Sequence, residues 1–156
     1  MFMEIKFVDK QLSPITADEP KEKRYAVDLG KTASFAGETL PFLKKHFFIS
    51  AQPWAKNMNL SETRSFLRLL KELNPKVEFG LLTERQIDAL NFFGAKFGFE
   101  IENTWTSGCY TDWHGRIDGR YSIKDGKLFC DNGENITDVY VLFGFTPGQE
   151  EPIKLP

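Results

Sequence analysis

The side chains best suited to recognition or reaction are concentrated in one stretch, Ser107-Gly108-Cys109-Tyr110-Thr111-Asp112-Trp113-His114-Gly115-Arg116-Ile117-Asp118-Gly119-Arg120. Tyr110, Asp112, Trp113, His114, Arg116 and Arg120 combine amphipathic rings with both signs of charge, and glycines punctuate the run as they do in a loop that presents side chains. These six are the candidate ligand-binding residues, with Trp113 as the expected anchor. A different chemistry would use Cys109 as a thiol nucleophile with His114 as its base, or a zinc ion held by these two with Cys130 and Asp131. Neither arrangement has a recognised spacing, so no catalytic residue, metal ligand or cofactor is assigned. Phosphate loops, Gly-x-Ser-x-Gly and His-Glu-x-x-His are absent from the sequence.

Composition narrows the classes. The chain has 156 residues, 20 Lys+Arg against 22 Asp+Glu, and a net charge of -2. No cationic surplus exists to neutralise a nucleic-acid backbone, and no apolar run is long enough to insert in a membrane. Hydrophobic and charged fractions of 41% and 27% are those of a folded globular chain, and the length fits one domain spanning 1–156. With only Cys109 and Cys130 there is no disulfide framework, and both thiols are expected free. Fifteen Phe among 22 aromatic residues imply an aromatic core. Met1 to Lys6 lacks the features of a signal peptide, so synthesis in the cytoplasm without export is expected.

The elements that must position the candidate stretch follow from periodicity and caps. Residues 3–8 alternate as a short strand, and 9–35, with Pro14, Pro20 and a charge cluster over 18–24, reads as a partly extended arm interrupted by the strand pattern Tyr25–Leu29. Residues 31–45 read as irregular, His46–Ser50 as a strand with His46 at its edge. Asn59 with Glu62 makes a capping box for a helix over 60–73, whose apolar stripe is Phe66, Leu69, Leu70 and Leu73. Thr83 with Gln86 caps a second helix carrying Ile87, Leu90, Phe93 and Phe97, with Leu82 and Ile87 as a hydrophobic staple and Gly98 as terminator. Val77–Leu82 is long enough for a short strand or an extended link between them.

After Phe99 the pattern is β. Asn103–Ser107 is a strand stopped by Gly108. Asp125-Gly126 fits a type I′ turn, which sets Ile123 opposite Leu128 and Tyr121 opposite Cys130 on one face, with Ser122 and Phe129 on the other. Asp138–Phe145 is apolar enough to be a central strand, and 146–156 reads as a loose tail.

This order resembles the C-type-lectin-like fold, in particular the bacterial and phage branch at the C-terminus of collagen-like adhesins. Phe79-Gly80-Leu81-Leu82-Thr83 followed by Glu84 to Leu90 is similar to that branch's Trp-Arg-Leu-Pro-Thr segment and helix. Trp105-Thr106-Ser107 is similar to its Trp-Ser-Ser, Lys124-Asp125-Gly126-Lys127 to its hairpin, and Val139-Tyr140-Val141-Leu142 to its Tyr-Val-Arg strand. The likeness covers about residues 46–145. The Trp and Arg of the first motif are absent and Leu142 replaces the last Arg. The resemblance implies an α+β fold with two helices packed on a mostly antiparallel sheet and a long loop region at 107–120. The calcium signatures Glu-Pro-Asn, Gln-Pro-Asp and Trp-Asn-Asp are missing, and Asp112, Asp118 and Asp131 do not replace them, so no calcium is expected. Trp105 reads as a core indole, and Thr83 as a helix cap rather than a ligand contact.

The function expected from these residues is non-enzymatic recognition or adhesion, binding a protein or glycan through 107–120, with a place in a phage virion and host recognition as one form of it. The alternatives are a structural assembly or decoration protein tied to neighbouring subunits by its N-terminal arm, and a cysteine- or metal-dependent enzyme.

Overall fold

The computed structural model describes residues 5–16, 18–30, 34–35, 38–39, 45–111, 114–115, 117–131 and 133–156, with backbone alone at 34–35, 38–39, 110–111, 117–119 and 131. The first half carries strands β1 (Lys6–Val8), β2 (Pro14–Ile15), β3 (Ala26–Gly30), β4 (Ser34–Phe35), β5 (Glu38–Thr39), β6 (His46–Ser50) and β7 (Ala55–Met58), then helix α1 (Leu60–Leu73). The second half carries β8 (Glu78–Gly80), α2 (Glu84–Gly94), β9 (Thr104–Thr111), β10 (Ile117–Lys124), β11 (Lys127–Asp131), β12 (Thr137–Val139) and β13 (Leu142–Phe145). The fold is therefore α+β, with two helices on antiparallel sheets.

The main sheet has the order β2-β1-β3-β6-β13-β8, and every pairing in it is antiparallel. Side chains alternate across it as the pleat requires. Phe7, Val27, Phe47, Ile49 and Leu142 form one cluster with Ile87 and Leu90 of α2, closed by Phe99 and Ile101. Val8, Ala26, Phe48, Phe143 and Phe145 form another, with Trp54 and Ile153 packed against it. A third joins Leu60, Phe66 and Leu70 of α1 to Leu81, Val139, Val141 and the fully buried Trp105. The aromatic core expected from composition is thus built on both faces of one sheet.

Both capping boxes form, with Asn59 accepting from the Glu62 N–H and Thr83 from the Gln86 N–H. The α1 stripe is corrected. Leu60, Thr63, Phe66 and Leu70 are buried, whereas Leu69 and Leu73 are 46% and 40% exposed. In α2 the staple partners Leu82 and Ile87 are buried, and Gly98 takes the left-handed φ of 72° that ends the turn after it.

Where an arm was expected over 9–35, the described residues 9–30 fold onto the sheet. β2 pairs with β1, and β3 lies between β1 and β6. Arg24 in this span is buried, its Nη1 donating to the Phe97 carbonyl at 2.7 Å. The tail is likewise docked: Lys154 N donates to Asn74 Oδ1, and Asn74 Nδ2 donates to Lys154 O, both at 2.9 Å.

The expected strand 138–145 is divided. β12 pairs with β7, and β13 runs between β6 and β8. At the join, Tyr140 N donates to Thr104 Oγ1 (3.0 Å) and Val141 N to Ser50 Oγ (2.9 Å). Buried hydroxyls thus satisfy the amides where the chain changes sheets, which removes the cost of leaving them unpaired. Gly108 does not stop β9, which runs on to Thr111. A Cβ at Gly108 would lie 3.1 Å from the Tyr121 ring, so glycine suits a strand here because its neighbour's ring covers it.

Candidate functional site

The expected recognition loop over 107–120 is chiefly a β-hairpin, because β9 extends to Thr111 and β10 begins at Ile117. Tyr110 pairs with Gly119 in the ladder, but its side chain lies outside the described residues, as do Asp112, Trp113 and Arg116 altogether. His114 is exposed in the turn. Arg120 is half-buried in β10, and burial followed by the positive charge of Arg64 on α1 pulls its pKa below the ordinary value, while Cys109 opposes the shift. The Asp125-Gly126 turn has φ of 51° and 77°, and it sets the expected pairs Tyr121 with Cys130 and Ile123 with Leu128. The expected apolar face does not form: Ile123 and Ser122 are both buried, while Leu128 and Phe129 are exposed because β11 is the outer strand.

Cys109 and Cys130 are free and exposed. They pair with Arg120 and Tyr121, adjacent residues of β10 whose side chains point to opposite faces, and β10 itself runs between them. A bridge or a shared metal ion would have to cross that strand.

A second candidate lies elsewhere, in a cavity between the β1–β2 turn, the residues before β3 and the link from β6 to β7. This open cleft of about 680 Å³ is walled by Tyr25 and Trp54, whose ring centroids are 5.4 Å apart. Backbone bonds hold both residues: Tyr25 N donates to Val8 O, Ala51 N to Tyr25 O, and Trp54 N to Val139 O. Burial pushes the Tyr25 phenol up to about 12. Gln52 adds an exposed amide, Arg24 lies on the buried side with its Cζ 4.2 Å from the Phe7 ring centre, and Leu155 of the tail closes one edge. Lys10 and Glu22 bring charges of both signs. The carboxylate of Asp9, also on the rim, is already accepting from Gln11 N and Ser13 N, which fixes the turn that carries it.

From this wall a run of rings crosses the sheet. Trp54 lies 5.0 Å from Phe143, Phe143 stacks on Phe48 at 5.4 Å, and Phe48 stacks on His46 at 4.5 Å. His46 is no idle strand-edge residue. Its Nε2 is 2.7 Å from Asp28 Oδ1 and its Nδ1 is 2.8 Å from Glu150 Oε1. The bond from His46 is the main cause holding the Glu150 carboxyl below the ordinary glutamate range. Both ring nitrogens of this histidine therefore have a carboxylate partner.

The sequence reading missed Tyr25, Gln52, Trp54 and the His46 cluster as site residues. Trp54 in the short link Ala51-Gln52-Pro53-Trp54 was the one available signal, since a large ring beside a proline on a connection is a presented side chain. Asp28, His46 and Glu150 are separated by 18 and 104 residues, and no local pattern joins them. Comparison with protein-family models, with curated proteins and with solved structures finds no match to this chain.

Proposed function

We propose that the chain is a non-enzymatic recognition module of C-type-lectin-like architecture that binds a glycan in the Tyr25–Trp54 cleft. The observation that carries this reading is the pair of rings held by backbone bonds at the wall of an open cleft whose remaining surface mixes amides, cations and carboxylates. Sugar rings offer apolar C–H faces for stacking on aromatic rings and hydroxyls that need donors and acceptors at the edge, and the cleft supplies both. Its volume is that of a small-ligand site rather than of the broad flat surface most proteins use to bind one another. Support for the architecture comes from neighbour relations among the motif positions. Phe79 and Gly80, just ahead of the Thr83-capped helix, pair with Phe143 and Leu142 of the closing strand, and Trp105 donates its Nε1–H to Met58 O from the core.

The test is an array of immobilised oligosaccharides and peptides, followed by titration of any captured probe. Gln52→Ala removes an exposed cleft amide, so it is expected to weaken glycan binding about fivefold or more while stability changes by less than about 0.5 kcal/mol. Binding that survives Gln52→Ala but is lost in Trp113→Ala moves the site to the β9–β10 hairpin. Capture of peptides alone overturns the glycan reading.

A further inference from the structure

We propose that residues 146–156 form a strap latched by His46, and that the closed strap completes the Tyr25–Trp54 cleft; the second half of this statement rests on the binding reading above, and the first does not. The strap crosses the Phe48–Phe143 face and is held at two points. At one, Glu150 meets His46, with Gly148 N donating to the same Oε1 at 3.2 Å. At the other, the Asn74 amide makes its two bonds to Lys154. Between and beyond them, Ile153 packs on the two clusters that also hold Trp54, and Leu155 reaches the cleft edge. Closure therefore supplies one edge of the cleft and backs its wall. The run of stacked rings puts the latch and the wall on one continuous aromatic surface.

The latch can open because of the number of protons on one ring. An imidazolium donates from both nitrogens and satisfies Asp28 and Glu150 together. A neutral imidazole has a single N–H, so one carboxylate would face a lone pair at less than 3 Å. Asp28 stays, because it sits in β3 inside the sheet and also accepts from Gly30 N at 2.8 Å. Glu150 is the partner that leaves, because it sits on a segment without sheet pairing. Among the described residues, the other charged groups on this side are Lys45, whose Nζ lies 3.3 Å from Thr146 Oγ1, and Lys76 and Glu151, which line a hollow of about 240 Å³ with Glu150. The two lysines oppose the charged ring and Glu151 favours it, but none of them is placed to replace either carboxylate bond.

Amide hydrogen exchange of the full chain, read peptide by peptide at about pH 5.5 and about pH 8.5 and corrected for intrinsic rates, tests the latch. Wild-type residues 149–155 are expected to exchange about tenfold faster at the higher pH while a peptide from α2 is unchanged. Glu150→Gln, a substitution outside the sheet, should give the fast strap at both values, and His46→Gln should do the same if its α2 peptide stays protected. A strap equally protected at both values in the wild type, or a pH response that persists in Glu150→Gln, overturns the latch. These readouts use no ligand, so failure of the glycan reading leaves them standing. If the strap opens as expected and a captured oligosaccharide binds Glu150→Gln as tightly as the wild type, only the coupling to the cleft is lost.

Discussion

Two tryptophans show how one residue type takes opposite roles. Trp105 is fully buried and its indole N–H is satisfied by Met58 O at 2.9 Å, whereas Trp54 turns part of its ring to the cleft. Trp105→Ala is expected to cost about 3–5 kcal/mol in chemical denaturation, since it opens a cavity in the α1 cluster and strips a carbonyl of its donor. A loss under about 1 kcal/mol would mean that the ring is not the centre of that cluster. The core role of Trp105 was legible because it lies in a strand-forming run. The role of Trp54 was not, because a ring on a short link looks the same whether it faces a cleft or folds inward. His46 illustrates the same limit: its chemistry comes from residues 28 and 150, which only the strand order brings to it.

At the scale of the element, local signals were read where the physics is local. Asn59 with Glu62, Thr83 with Gln86, and Asp125-Gly126 fix helix starts and a hairpin register through bonds and dihedrals within a few residues. Reading failed where the outcome depends on a distant partner. Gly108 continues β9 because Tyr121 of β10 covers it, and the 138–145 run divides because Thr104 and Ser50 receive its amides. The face of α1 is a further case, since five leucines and a phenylalanine leave two overlapping stripes and only tertiary packing selects between them. The selection is testable by neighbouring substitutions. Leu69→Ser should shift stability by less than about 1 kcal/mol, a small change for a half-exposed surface site, while Leu70→Ala, at a position with no exposure, should cost about 2–5 kcal/mol. Equal effects in urea melts would restore the stripe through Leu69 and Leu73.

Over the whole molecule, the tail is what joins the two halves of the sheet face. It runs from the end of β13 past His46 of β6 to Asn74 beyond α1, so its docking depends on groups from β3, β6 and the helix end at once. That dependence has an acid limb, which follows from Glu150. Its carboxyl is held below the ordinary range chiefly by the bond from His46, against the opposing effect of burial, with backbone N–H donors adding smaller contributions. A carboxyl whose folded value is depressed binds its proton more readily in the released state. Its contribution to docking is therefore complete above the ordinary glutamate range, near 4.3, and is lost as the pH falls through the depressed value. The Lys154 amide, which donates to Asn74 Oδ1, gives a direct view of docking in a proton–nitrogen correlation spectrum. Acidification of the wild type should move this resonance toward its undocked position with a midpoint below the ordinary glutamate range, and Glu150→Gln should remove that transition. A midpoint above that range would mean that the carboxyl is stabilised in its protonated form, which the His46 contact forbids.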